Sequence, residues 1–432
     1  MRILQLGRSR SAAAIARLID RAAVERDVEP AVREILDRVR TDGDPALIEY
    51  TRRFDGIDPA GYRLRVSDDE FGAAKTAVTR AVRTAIGEAK RRIEAFHERE
   101  IGSSWEAEPE PGVQIAQTVR PLGSVGIYVP GGEAIYPSTV LMNAIPAAVA
   151  GVDRVVLVTP PGPAGRVDAH VLFAAALCNV SEVYRVGGAQ AIGALAYGTE
   201  TIPPVDKIVG PGNVYVNVAK RLVFGDVGID ALAGPSEILV LADDGADPVF
   251  VAADLLSQAE HDRLATAVLV TPSPTLADAV NREVERRIGR LERSEVIEAA
   301  LAERGAIVVV NSLDQGIALA NRLAPEHLEL VVRRPDEALP RLTCAGTILV
   351  GGSTPVAFCD YGAGPTHVLP TGGAARFSSP LGVSDFVKRT NVLTVSSDAS
   401  RRLADALQPL AEVEGFTAHA AAMRVRKEQT DD

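Results

Sequence analysis

Cysteine is scarce in this chain: Cys178, Cys344 and Cys359 are the only three in 432 residues, far apart and in no metal-ligand spacing. That excludes a disulfide framework or a thiolate metal cluster, and each reads as a small buried hydrophobe in a reducing compartment. Basic charge is also in deficit, with 46 Lys and Arg against 57 Asp and Glu and a formal net charge of -11. Nucleic acid is therefore not expected as the main partner. Long apolar runs are missing. None approaches the roughly 18 residues of a membrane helix, and the opening Met1–Leu6 is too short for a secretory core. A soluble cytoplasmic protein with no membrane partner is the expectation. The G-x-G-x-x-G fingerprint of dinucleotide folds is absent too.

What is present is a sequence that is 47% hydrophobic and long enough for two or more domains. Residues 10 to about 100 read as helical, most clearly from Lys75 to Glu100, where Val78, Val82, Ile86, Ile93 and Phe96 form a stripe. His97, inside a charged run, reads as part of a solvated face. From about residue 120 the pattern becomes short β-branched runs, each followed by a turn and a helical segment: Val125–Val129, Arg154–Val158, Glu182–Val186 and Lys207–Val209. A second series follows Gly234-Pro235: Ile238–Leu241, Ala267–Val270, Ile307–Val310, Leu330–Val332 and Thr347–Val350. Alternation of this kind predicts α/β domains with parallel sheets. The expected division is a helical region 1–119, α/β blocks 120–233 and 234–380, and a tail 381–432. The tail is too small to fold alone and is expected to dock on another surface.

The first block ends its strands in Pro130-Gly131-Gly132, Gly187-Gly188-Ala189-Gln190 and Gly210-Pro211-Gly212-Asn213. Such turns let backbone approach a phosphate, although ordinary α/β turns look the same. The second block holds the chemistry. Asp247 and Pro248 start a helix that ends at Ser257-Gln258-Ala259-Glu260-His261-Asp262, with Gln258 and His261 three apart on one face. In Ala324-Pro325-Glu326-His327-Leu328-Glu329 the proline biases Ala324 toward extended geometry, and extended neighbours place Glu326 and His327 on opposite sides. Phe358 to His367 is read as an irregular Gly- and Pro-rich loop carrying Asp360 and His367. Glu414 and His419 flank Gly415 in the tail, His419 reading equally as a packed histidine. Four of the six histidines thus fall in acid-plus-histidine stretches, the kind of set that a zinc ion or an acid–base mechanism draws on.

Gly234-Pro235-Ser236-Glu237, Ser257–Asp262, Ala324–Glu329 and Asp360–His367, in this order, closely resemble the motifs of the histidinol dehydrogenase family, from the N-terminal helices through the tail. The resemblance implies two incomplete Rossmann-like domains with parallel sheets and small, mainly helical N- and C-terminal segments. It implies a zinc-dependent, NAD-linked four-electron oxidation of L-histidinol through L-histidinal to L-histidine, the last step of histidine biosynthesis. Carried over residue by residue, Gln258, His261, Asp360 and His419 would ligate one zinc per subunit, and Glu326 and His327 would be catalytic. Ser236, His367 and Glu414, together with His327 and the four zinc ligands, would contact substrate. Tyr128, Gln190 and Asn213 would contact NAD, making the first block its side and the second the zinc side. The family is a homodimer with shared active sites, the C-terminal segment crossing to the partner. Readings behind this one are a related zinc and NAD dehydrogenase of another amino alcohol or diol, and a zinc hydrolase, which needs no nucleotide turns.

Overall fold

The computed structural model describes residues 1–7, 13–16, 18, 28–58, 60–131, 134–162 and 164–428. Gly132 of the first glycine turn and much of the helical stretch expected between 10 and 28 lie outside them. The strands are β1 (Arg2–Gln5), β2 (Trp105–Glu110), β3 (Val113–Pro121), β4 (Ser124–Tyr128), β5 (Arg154–Thr159), β6 (Glu182–Arg185) and β7 (Lys207–Val209), followed by β8 (Gly228–Ile229), β9 (Glu237–Ala242), β10 (Thr266–Thr271), β11 (Gly305–Val309), β12 (His327–Val331), β13 (Thr347–Val350) and β14 (Val387–Val395). The chain forms two compact units: residues 1–100 with 122–386, and residues 101–121 with 387–432. Among the described residues no helix is long and apolar enough to cross a membrane.

The larger unit holds two parallel sheets of like topology. The five-stranded sheet runs β6-β5-β4-β7-β8, and the six-stranded one runs β1-β11-β10-β9-β12-β13, the same winding with the N-terminal strand added at one edge. Both sheets are covered on both faces. This is why β9 and β10 are buried at every position and read as continuous apolar runs with no alternation. On the first sheet, Ile127 and Leu157 pack with the helices Arg80–His97 and Pro137–Ala150, while Ile192 and Leu195 pack with Glu29–Asp42 on the other side. All four side chains are completely buried, each stabilising by about 1.5–3 kcal/mol.

The N-terminal helices form as the periodicity predicts, with a break at Val78 where Thr79 caps the helix Arg80–His97. His97 differs from expectation. It is fully buried, its Nδ1 2.8 Å from Glu100 Oε2, and the same oxygen accepts the N–H of Val383 at 3.0 Å. A carboxylate three residues on supplies the polar partner that makes burial tolerable.

The smaller unit pairs β14 with β3 and β3 with β2, all antiparallel, and adds the helices Ser397–Val413 and Thr417–Glu428, which pack on one another. Its strand β2 is exposed along its whole length. No apolar alternation marked it in the sequence for that reason.

The turn after β7 is held from beneath. Gly210 has φ +108°, and a Cβ there would come within 2.2 Å of the Tyr128 carbonyl oxygen, so only glycine fits. Lys220 is fully buried. Its ammonium donates to the carbonyls of Gly210 (3.1 Å) and Ala231 (2.9 Å) and pairs with Asp230, whose other oxygen accepts the Gly210 N–H at 2.8 Å. Removing one member strands a buried charge, which costs about 3–5 kcal/mol. Lys220→Met is therefore expected to lower the urea midpoint by a corresponding amount, and Lys220→Met with Asp230→Asn to recover much of it. An unchanged midpoint in the single variant would show that the pair carries no such load.

Candidate active site

Asp360 is the centre of the chemistry-bearing residues. It lies in the last turn of the short helix Val356–Tyr361, in the stretch expected to be irregular; the apolar residues before the glycines are enough to close a turn and a half against the core. One carboxylate oxygen is 3.9 Å from His261 Nε2 and the other 3.5 Å from His327 Nε2, while the Asp360 carbonyl receives His367 Nδ1 at 2.9 Å. Burial alone would raise the Asp360 pKa, but the imidazoles of His327, His367 and His261 outweigh it and hold it below the usual carboxylate range.

Gln258 lies in the last turn of the helix Pro248–Ala259, whose start is capped by Asp247 as expected. The helix stops at Ala259, so His261 sits in the turn beyond it, with its N–H on the Gln258 carbonyl at 3.3 Å. Gln258 is 1% exposed, and neither its amide oxygen nor its nitrogen has a hydrogen-bond partner. A buried amide left wholly unsatisfied costs about 1–3 kcal/mol per group, which makes this side chain a candidate donor to a ligand.

Glu326 and His327 arrive differently from the sequence expectation. Ala324, despite preceding proline, is left-handed at φ +46°, ending the helix Leu313–Leu323 with its N–H on the Ala320 carbonyl at 2.8 Å. That bend leaves Glu326 before the strand begins, so the two side chains do not diverge: Glu326 Oε2 is 3.8 Å from His327 Nδ1. Both engage the backbone of Glu237, whose N–H donates to Glu326 Oε2 at 2.8 Å and whose carbonyl faces His327 Nδ1 at 3.3 Å. Burial pushes the Glu326 carboxyl up to about 8 against the pull of His327. For His327 burial opposes the charged ring, yet Glu326 and Asp360 hold its pKa well above the ordinary imidazole value.

His367 has both nitrogens engaged: Nδ1 donates to the Asp360 carbonyl, and Nε2 faces the Thr139 hydroxyl at 3.3 Å. Burial holds its pKa below the ordinary value, which fixes a neutral ring with the proton on Nδ1. Thr139, on the helix Pro137–Ala150, was not singled out from the sequence; the spacing gave no signal for it. Ser236 immediately precedes β9, where its carbonyl accepts the Thr266 N–H at 2.9 Å.

Glu414 and His419 belong to the smaller unit, at the turn between its two helices. Both are exposed, His419 touching Phe416 with ring centroids 5.4 Å apart, so the packed-histidine reading does not hold. Leu410, Val413 and Phe416 beside them are 60%, 87% and 55% exposed, an apolar patch of the sort that marks an interaction surface.

Tyr128 ends β4, Gln190 lies in the first turn of the helix Gly188–Tyr197, and Asn213 caps the helix Val214–Val223, all at the carboxyl ends of the first sheet's strands. The strand order reverses between β4 and β7, the switch point at which α/β sheets take their ligands. The Tyr128 hydroxyl accepts the Gly188 N–H at 3.1 Å, and burial pushes its pKa up to about 12. Gln190 is 1% exposed with its amide oxygen unpartnered, as a group awaiting a ligand would be.

Among the described residues no three His, Cys, Asp or Glu side chains gather as a metal cage. His261, Asp360 and the unsatisfied Gln258 nevertheless form a nitrogen and oxygen donor set suited to zinc. Tetrahedral zinc holds its donors about 3.4 Å apart, so His261 and Asp360, now 3.9 Å apart, would need to approach by about half an ångström to share one ion.

The family model described as histidinol dehydrogenase matches residues 19–427. The histidinol dehydrogenase of Aquifex aeolicus is 51% identical over 404 residues, covering 94% of this chain and 93% of that protein. The histidinol dehydrogenase of Syntrophotalea carbinolica is 49% identical over 427 residues, covering 99% of each chain. A crystal structure of histidinol dehydrogenase from Elizabethkingia anophelis superposes with a TM-score of 0.93 at 36% identity, over 99% of this chain and 98% of that one.

The raised pKa of Glu326 has a consequence for stability. The folded metal-free chain keeps a proton there that the unfolded chain releases above about 4.5, so stability falls as pH rises from about 4.5 to about 8. His327, also raised, acts in the same direction above about 6.5. Urea midpoints of the metal-free protein are expected to decline across that window, and Glu326→Gln to flatten the decline. Parallel pH profiles for the two proteins would contradict the buried carboxyl's part in it.

Proposed function

The chain belongs to the histidinol dehydrogenase family and is an NAD-dependent oxidoreductase converting histidinol to histidine, and from that premise we propose the roles of its residues. The observation that carries the reading is the buried cluster of His327, Glu326 and Asp360 beside His261 and an unsatisfied Gln258. Gln258, His261 and Asp360 hold zinc, with His419 as the fourth ligand. When bound, zinc supplies a fixed point for the substrate's nitrogens and positive charge that offsets Asp360, loosening the hold that keeps His327 protonated. The remaining substrate contacts are Ser236, His367 and Glu414; for His367 this means exchanging the Thr139 hydroxyl on Nε2 for a substrate group.

Neutral His327 takes the alcohol proton as hydride leaves the adjacent carbon for NAD held by Tyr128, Gln190 and Asn213, giving L-histidinal. Glu326, whose ionisation is eased once zinc offsets Asp360, then takes a proton from water as the water oxygen adds to the aldehyde carbon, while His327 returns its proton to the aldehyde oxygen. The hydrate loses a second hydride to a second NAD and a proton to His327, and the acid so formed ionises to the carboxylate of L-histidine. Replacing Glu326 by Gln removes the base for water and keeps the side chain's shape. The variant is expected to release less NADH per histidinol than the two equivalents of wild type, with aldehyde trappable by semicarbazide. Unchanged rate and stoichiometry would refute the role.

The smaller unit supplies Glu414 and His419 to the site of a second copy, the chain acting as a homodimer whose C-terminal segment crosses to the partner. The exposed Leu410, Val413 and Phe416 support this reading. Co-refolding His261→Ala with His419→Ala is then expected to recover about a quarter of wild-type activity, because about half of the dimers are mixed and each of those has one intact site. No recovery, with mixed dimers shown by native mass spectrometry, would rule out the shared site.

A further inference from the structure

Two carboxyls outside the chemistry described above lie behind it. Glu329, 2% exposed, is the third residue of β12, two after His327 and therefore on the same face of the strand. Asp254 is on the helix Pro248–Ala259, one turn before Gln258. Their carboxyls lie within hydrogen-bonding reach of each other. Ionised carboxylates offer only acceptors, so a bond between them requires a proton on one.

Glu329 has a second bond. Its Oε1 accepts the N–H of Val356 at 2.9 Å, the first residue of the helix that carries Asp360. The pair therefore links three elements: the helix leading to Gln258 and His261, the strand beginning at His327, and the helix carrying Asp360.

We propose that the Asp254–Glu329 pair is the positioning device of the site, a proton-shared strut that fixes the spacing of Gln258, His261, His327 and Asp360. This rests on the assignment of Gln258, His261 and Asp360 as zinc donors. Burial supports it: the Glu329 carboxyl is pushed up to about 9 and that of Asp254 up to about 6, so the shared proton is retained at neutral pH. The other titratable group facing Glu329 is His327. A carboxyl pair suits the task better than an apolar contact because its bonds are directional and because Glu329 also satisfies the helix N-terminus at Val356.

The test compares Glu329→Gln with Glu329→Leu in the full-length protein, reading zinc affinity by competition with a chromogenic chelator, alongside kcat and the KM for histidinol. Gln keeps both bonds, its amide donating to Asp254 and its oxygen accepting from Val356. It is expected to hold zinc within about twofold of wild type at pH 7 and to lose less affinity than wild type between pH 7.5 and 9.5, since its proton cannot leave. Leu breaks both bonds and is expected to weaken zinc binding by about 10-fold or more and to lower kcat, with the KM for NAD little changed. If Glu329→Leu does not fold, Asp254→Ala, at a half-buried position, breaks the same link from the other side. A Leu or Ala variant that is merely less stable while binding zinc as wild type does would overturn the proposal, as would a Gln variant as impaired as Leu. Wild type that binds no zinc would instead sink the zinc assignment, and the KM ratio for histidinol between variant and wild type would still decide the positioning role.

Discussion

The backbone of Glu237 is the fixed point of the site. Its N–H holds the Glu326 carboxyl and its carbonyl faces the His327 ring, so one residue locked in a strand sets the spacing of the two side chains. A hydrogen bond to an ionised group is worth about 1.5–3 kcal/mol, but the stronger constraint is topological. Glu237 opens β9, which is paired on one side with β10 and on the other with β12, Thr266 lying in register with Glu237 and His327 with Ile238. Displacing this peptide means breaking a central strand of a sheet that is buried on both faces. The Glu326–His327 pair inherits the stiffness of the sheet.

Much of this was legible in the sequence. The β-branched runs of both blocks became strands close to where they were read, because strands buried on both faces must be continuously apolar. Asp247-Pro248 started its helix, and His261, Asp360, Glu326 and His327 came from segments far apart in sequence to one volume. What was not legible depended on tertiary context. The left-handed Ala324 runs against the local preference of a residue before proline, and only the surrounding packing imposes it. Buried His97 depended on Glu100 and the Val383 backbone. The exposed β2 and the N-terminal strand β1, which borrows its register from β11, carried too little apolar pattern to be seen. The Asp254–Glu329 pair was not singled out in the sequence, since its members meet only when β12 and the helix Pro248–Ala259 come together.

The two sheets share a winding order, yet their candidate sites stand at opposite edges. Tyr128, Gln190 and Asn213 lie at the carboxyl ends of the first sheet's strands, whereas Ser236, Glu237, His327 and the residues following the helix Pro248–Ala259 lie at the amino ends of the second. Expecting both at the carboxyl edge, as open α/β sheets usually arrange their ligands, would have missed the second.

That inversion fixes the sign of the field each site offers. In a strand–helix repeat, helices begin near the carboxyl ends of the strands and finish near the amino ends. The first edge therefore collects helix starts, including those of Gly188–Tyr197 and Val214–Val223, with partial positive charge of about half a proton each. The second collects helix finishes, those of Pro248–Ala259, Leu313–Leu323 and Val356–Tyr361, with partial negative charge. One edge suits a dianionic cofactor and the other a dication, without a single charged side chain being counted. A twice-used topology thus yields two electrostatically opposite sites from the direction of its peptide dipoles alone.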